Sequence, residues 1–179
     1  MRILIIVGTV REGRKTIDAA NTAVDKFTEN NHETVLYDLK KKDIPYLGNR
    51  RYVDSETPVP EDIEELGQEV EKADCVVIVT PEYNHSIPGV LKNALDYLYP
   101  EYEDKPFTYI TDSAGGFGGI RAVSHLNDIT LGLGGFPGPS LQVSNIGSKF
   151  EDGELSDEEL SERFDGFVQK TEAFVNKID

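Results

Sequence analysis

Apolar, β-branched runs alternate along the chain with stretches of helical spacing. The strand-like runs fall at residues 2–7, 34–38, 74–80, 107–112 and 140–144, and the helical patterns at 16–29, 61–71, 89–99, 119–131 and 156–177. After the third run, Val90, Leu91, Ala94, Leu95 and Leu98 share one stripe, and Pro88 stands where a first helical turn tolerates a missing N–H. The last pattern opens with Ser156-Asp157-Glu158-Glu159, the arrangement of a capping box. Cys75-Val76-Val77-Ile78-Val79 is continuous rather than alternating, which predicts a parallel strand covered on both faces. Strands that alternate with helices imply a parallel sheet between two helical layers. Five such strands suit the order 2-1-3-4-5, with its switch point between the first and third strands, so the loops that follow those two strands should meet.

At 179 residues, with no Pro-, Ser- or Gly-rich linker, the chain should form one domain over residues 1–179. A hydrophobic fraction of 38% with eight Tyr and eight Phe argues against disorder, and no apolar run approaches the ~20 residues of a membrane span. The amino end, Met1-Arg2-Ile3-Leu4-Ile5-Ile6-Val7-Gly8, reads as a first strand rather than a signal peptide, so a cytoplasmic location is expected. A formal net charge of −15 makes nucleic acid or an anionic membrane a poor partner. The single cysteine, Cys75, rules out an internal disulfide and a thiolate metal cage, and its place in a buried-type strand assigns it to the core. His32, His85 and His125 are scattered and give no metal set, and no nucleophile motif is present.

The chemistry gathers in loops. After the first strand comes Gly8-Thr9-Val10-Arg11-Glu12-Gly13-Arg14-Lys15-Thr16, where three cations cluster in an otherwise acidic chain. Amides at the start of the following helix, and its dipole, favour an anion at the same place, so a phosphate is the expected guest; the alternative is a solvated basic turn. Walker A spacing is absent. After the third strand, Pro81-Glu82-Tyr83-Asn84-His85-Ser86-Ile87-Pro88-Gly89 offers a flat aromatic face, polar side chains and backbone amides for the edge of a polar ring, which suits a flavin. After the fourth, Ser113-Ala114-Gly115-Gly116-Phe117-Gly118-Gly119 lets backbone approach a planar ligand closely, or simply serves a tight turn.

Together these three loops, with the block Pro-Glu-Tyr-Asn-x-Ser-x-Pro-Gly-x-Leu-Lys-Asn-Ala-Leu-Asp at residues 81–96, resemble the NADPH-dependent FMN reductase family, which includes quinone, azo-dye and chromate reductases on a flavodoxin-like fold. The resemblance covers nearly the whole chain. It implies that Thr9, Arg11 and Thr16 bind the FMN phosphate with Arg14 and Lys15 as helpers. Pro81, Glu82, Tyr83, Asn84 and Ser86 would line the ribityl chain and ring, and Ser113, Gly115 and Gly116 would approach the ring from the other side. His85 stands at a variable position of the motif, facing solvent or a neighbouring subunit. A homodimer or homotetramer is also implied, with Lys92, Asn93 and Asp96 serving either assembly or a polar helix face.

The activity implied is transfer of a hydride from NADPH or NADH to bound FMN, then to a quinone, free flavin, azo compound or similar small-molecule acceptor in a ping-pong cycle. Such chemistry is carried by the flavin and needs no catalytic side chain. The alternatives are a flavodoxin-type single-electron carrier or a flavin-binding redox sensor; Arg11 and Arg14 depart from the Thr- and Ser-rich phosphate loop of flavodoxins. The long connection at residues 39–60 should be a functional lid or disordered. Its Arg50 and Arg51 are candidates for the extra phosphate of NADPH, or else an exposed charge pair.

Overall fold

The computed structural model describes residues 1–52 and 58–178. Five parallel strands form one sheet in the order β2-β1-β3-β4-β5: β1 (Arg2–Val7), β2 (Glu33–Asp38), β3 (Cys75–Pro81), β4 (Pro106–Asp112) and β5 (Phe136–Val143). The connecting helices are α1 (Thr16–Glu29), α2 (Glu61–Lys72), α3 (Gly89–Asp96) and α4 (Ile120–Gly132), and α5 (Glu158–Ile178) closes the chain. The flavodoxin-like order expected from the sequence is the one observed.

The period of two along a strand sorts the core into two layers. Leu4, Ile6, Val76 and Ile78 face α2, α3 and α4, where Ile63, Leu66, Val70, Leu91, Leu95 and Leu126 cover them. Ile3, Ile5, Val77 and Val79 face α1 and α5, against Ala19, Ala23, Phe27, Phe164 and Val168. Cys75 belongs to this second layer; it is fully buried, and burial pushes its thiol up to about 12, so it stays a neutral core side chain. Among the described residues, no helix is long and apolar enough to cross a membrane.

Three boundaries and one added element depart most from the sequence reading. The fifth strand starts at Phe136 rather than residue 140, because Pro137 and Pro139 lie on an edge strand, where a missing donor breaks no second ladder. Helix α3 stops at Asp96, short of residue 99, and a 3₁₀ turn follows at Pro100–Tyr102. Helix α5 is capped by Asp157, whose Oδ1 accepts from the Leu160 amide at 2.8 Å, whereas Ser156 turns back to donate to the Lys149 carbonyl; the capping-box reading is shifted by one residue. A small hairpin, β6 (Phe150–Glu151) and β7 (Glu154–Leu155), precedes that helix, turning at Asp152 and Gly153 with φ of 49° and 92°. The Asp-Gly pair is its sequence signal.

Residues 53–57, part of the long connection, lie outside the described residues. The stretch before them is anchored. Asn93 accepts from the Leu47 amide at 3.0 Å and donates to the Pro45 carbonyl at 2.8 Å, and the Arg51 amide donates to the Tyr97 carbonyl at 2.9 Å. The Arg51 guanidinium is clasped by Glu64, Glu71 and Glu101. Asn93 thus serves the fold of its own chain, and Lys92 pairs with Asp96 one helical turn on, at 2.6 Å.

Strand registers level the carboxyl edge: Val7 pairs with Asp38 and Val79, and Asp112 with both Pro81 and Val143. The loops after β1, β3, β4 and β5 therefore leave the sheet side by side. Gly118 and Gly119, with φ of 60° and 82°, turn the β4 loop into α4. A Cβ on Gly119 would lie 2.9 Å from the Thr111 Cβ and 3.1 Å from the Asp112 carbonyl oxygen. Gly119→Ala should combine left-handed strain with this contact and destabilise the fold by roughly 2–3 kcal/mol, measurable as a lower urea midpoint. An unchanged midpoint would show that the β4 loop yields freely.

Candidate functional site

The β1 and β3 loops are joined at their tips. Thr9, buried at the end of β1, shares a 2.9 Å hydrogen bond with the Tyr83 hydroxyl, and the Arg11 guanidinium carbon stands 6.0 Å from the Tyr83 ring centroid. Tyr83 is held by a two-residue hairpin: its amide and carbonyl exchange bonds of 2.9 and 3.0 Å with Ser86, around Asn84 and His85 at φ of 50° and 67°. Two contacts dock this hairpin on α4. The Arg121 amide donates to Glu82 Oε2 at 3.0 Å, and the Ser86 hydroxyl lies 2.8 Å from His125 Nδ1.

Beneath Tyr83 lies a cavity of about 270 Å³ lined by Arg11, Lys15, Thr16, Pro81, Glu82, Tyr83, Asp112, Ser113, Ala114, Ile146 and Gly147. Seven of the residues singled out in the sequence thus converge there, from three loops. On the far side of Tyr83, Thr9, Val10, Arg11, Pro88, Gly89 and Val90 line a second hollow of about 280 Å³. Each lies near the lower end of the ~300–1,000 Å³ usual for ligand sites.

The remaining candidates stand elsewhere. Arg14 is buried and turned away from the cavity: it donates to the Thr9 carbonyl and pairs with buried Asp38 at 2.5 Å. Asn84, Gly115 and Gly116 are exposed, and Ser86 faces α4. His85 is exposed, with Nδ1 3.5 Å from Glu82 Oε1. Ser113 braces its own loop by donating to the Gly115 carbonyl at 2.9 Å, and its carbonyl accepts from the Ile146 amide at 3.2 Å. Of the two cations considered for a nucleotide phosphate, Arg51 is held by its three carboxylates, and Arg50 donates to the Tyr52 hydroxyl at 2.6 Å.

Sequence reasoning missed Asp112, Ile146 and Gly147. The last two follow β5 at the same sheet edge as the other loops, a signal that the edge rule contains. Asp112 ends β4 at 4% exposure, lies beside Thr16 in the cavity wall, and leaves Oδ2 without a partner. Burial is the main cause that pushes its carboxyl up to about 6, against the smaller opposing pulls of Thr16 and Arg11.

The folded chain therefore keeps this proton at pH values where the unfolded chain, with an ordinary aspartate near ~3.9, has released it. The raised pKa contributes stability that is present at low pH and is lost as pH rises from about 4 through 6. Asp112→Asn should accordingly gain on the parent between pH 4.5 and pH 7 in urea titrations. Equal differences at the two pH values would contradict the raised carboxyl.

The donor set suits a phosphorylated planar ligand. No side chain caps the amino end of α1, which opens beside Arg11 and Lys15 with Thr16 as its first residue. The sequence profile of the NADPH-dependent FMN reductase family matches residues 1–148. The chain belongs to that family. It is 34% identical over 160 residues to an NADPH azoreductase of a Bacillus species, covering 88% of this chain and 84% of that protein. It is 32% identical over 182 residues to an FMN-dependent NADPH-azoreductase of Staphylococcus aureus, covering 98% and 96%. Among solved structures it superposes on FerB, a flavoenzyme NAD(P)H:(acceptor) oxidoreductase from Paracoccus denitrificans, with a TM-score of 0.79 at 27% identity, covering 98% and 97%. Family membership makes the chain an NAD(P)H-dependent FMN oxidoreductase.

Proposed function

We propose that the chain binds FMN at this edge of the sheet, with the phosphate at Arg11, Lys15 and Thr16 and the ring against the Tyr83 hairpin and the Ser113–Gly116 loop, and that it reduces small acceptors at the expense of NADPH in a ping-pong cycle. The observation that carries the reading is the convergence of the β1, β3 and β4 loops on one cavity, with cations and an open helix end on one side and an aromatic hairpin on the other. When bound, FMN would supply the hydride-transfer chemistry between NADPH and the acceptor.

The protein's own part is positional. Arg11 and Lys15 give favourable charge to the phosphate, and Tyr83, fixed by Thr9, sets the position of the hairpin amides. Beyond Val10 and Val90, a groove of about 670 Å³ continues between Ile44, Pro45, Tyr46 and α3. Its apolar walls and the exposed Tyr46 ring suit flat aromatic acceptors such as quinones, azo dyes or free flavins. Assembly as a homodimer or homotetramer belongs to the same proposal.

Initial rates measured with NADPH and an azo dye or a quinone test the cycle. Parallel double-reciprocal lines are expected, because the donor leaves before the acceptor enters. Intersecting lines would mean that both substrates are held at once and would reject the ping-pong order.

A further inference from the structure

The cavity's cations leave one buried group unexplained. Asp112 lines the same cavity as Arg11, Lys15 and Thr16 with a side chain that is 4% exposed, and its buried Oδ2 has no hydrogen-bond partner. An ionised carboxylate beside an anion site would repel a phosphate, whereas a carboxylic acid there supplies a donor. Resting on the FMN reading above, we infer that Asp112 is a further phosphate-binding residue, which as the neutral acid donates a hydrogen bond from its carboxyl to a phosphate oxygen, so that cofactor binding takes up one proton.

The surroundings agree. From the β1 loop, Arg11 and Lys15 face the cavity, with Lys15 also 3.2 Å from Asp18. From the end of β3 come Tyr83 and Glu82, the latter occupied by the Arg121 amide and His85. The β5 side contributes only Ile146 and Gly147. Burial outweighs the opposing pulls of Thr16 and Arg11 and already holds the Asp112 carboxyl at about 6 before any phosphate is added. A phosphate carrying up to two negative charges would raise it further. Above pH 6, binding must therefore include reprotonation, and affinity should fall by up to about tenfold per pH unit.

The test is FMN affinity from pH 5.5 to 8.5, by calorimetry or flavin fluorescence, for the parent and for Asp112→Asn, a permanent neutral donor of the same shape. The ratio of parent Kd to variant Kd should rise about fiftyfold between pH 6 and pH 8. The phosphate's own titration affects both proteins alike and cancels in the ratio. With riboflavin, which lacks the phosphate, the ratio should stay flat. Parallel FMN profiles would overturn the inference, and a riboflavin ratio that rises in the same way would move the hydrogen bond off the phosphate and overturn it too. Failure of the parent to bind FMN at any pH would instead sink the FMN reading itself. If the variant does not fold, proton uptake by the parent, read at pH 7.5 from binding enthalpies in buffers of different ionisation enthalpy, should approach one per FMN; none taken up would refute the inference.

Discussion

Replacing Arg14 with alanine should destabilise the folded chain by about 3–5 kcal/mol, the cost of leaving a buried carboxylate without its counter-ion. Arg14 joins the β1 loop to the end of β2, donating to the Thr9 carbonyl and pairing at 2.5 Å with Asp38, which is itself 3% exposed. Asp38 has a second task, accepting from the Lys40 amide at 3.1 Å, so it cannot simply rotate into solvent. For a domain of this size the loss corresponds to a fall in Tm of roughly 10 °C. Urea unfolding of the FMN-free protein gives the value directly. Unchanged stability together with lost FMN would show that Arg14 leaves Asp38 and serves as a phosphate ligand, the role that the family resemblance implies.

Arg11→Ala should do the reverse. Arg11 is exposed at the mouth of the cavity, and removing it should weaken FMN binding by about 10–100-fold, the worth of a charge-assisted hydrogen bond, while stability changes by less than about 0.5 kcal/mol. Titration of the FMN-free variant with FMN checks the first part and urea unfolding the second. Undiminished affinity would remove Arg11 from the phosphate site. The two arginines lie three positions apart in one loop, so opposite outcomes would divide holding the loop from holding the ligand.

That division is what the sequence could not show. Arg11, Arg14 and Lys15 are equivalent as cations in a basic loop, and only the fold brings Asp38 beside Arg14. The sheet itself was legible, because unbroken β-branched runs in β1 and β3 can be covered only in the middle of a parallel sheet, and that places their loops together. Strand β5 was legible only in part, since its prolines hide a strand from any reading based on donors and periodicity, and they are tolerated because the strand is an edge. Tyr83 was readable as an aromatic in a polar turn, but its tether to Thr9 spans 74 positions and leaves no local trace. Asp112 looked like the polar end of a strand; its burial and its unpartnered oxygen follow from how β4 sits between β3 and β5.

The central claim is that this chain passes hydride from a nicotinamide to FMN held at the carboxyl edge of its sheet. An anaerobic titration of the FMN-loaded protein with NADPH, following the oxidised flavin band near ~450 nm, tests it most directly. Rapid bleaching to the two-electron reduced form, complete near one NADPH per FMN, is the expected result. Protein-bound FMN that NADPH leaves oxidised would contradict the account and favour a single-electron carrier or a redox sensor.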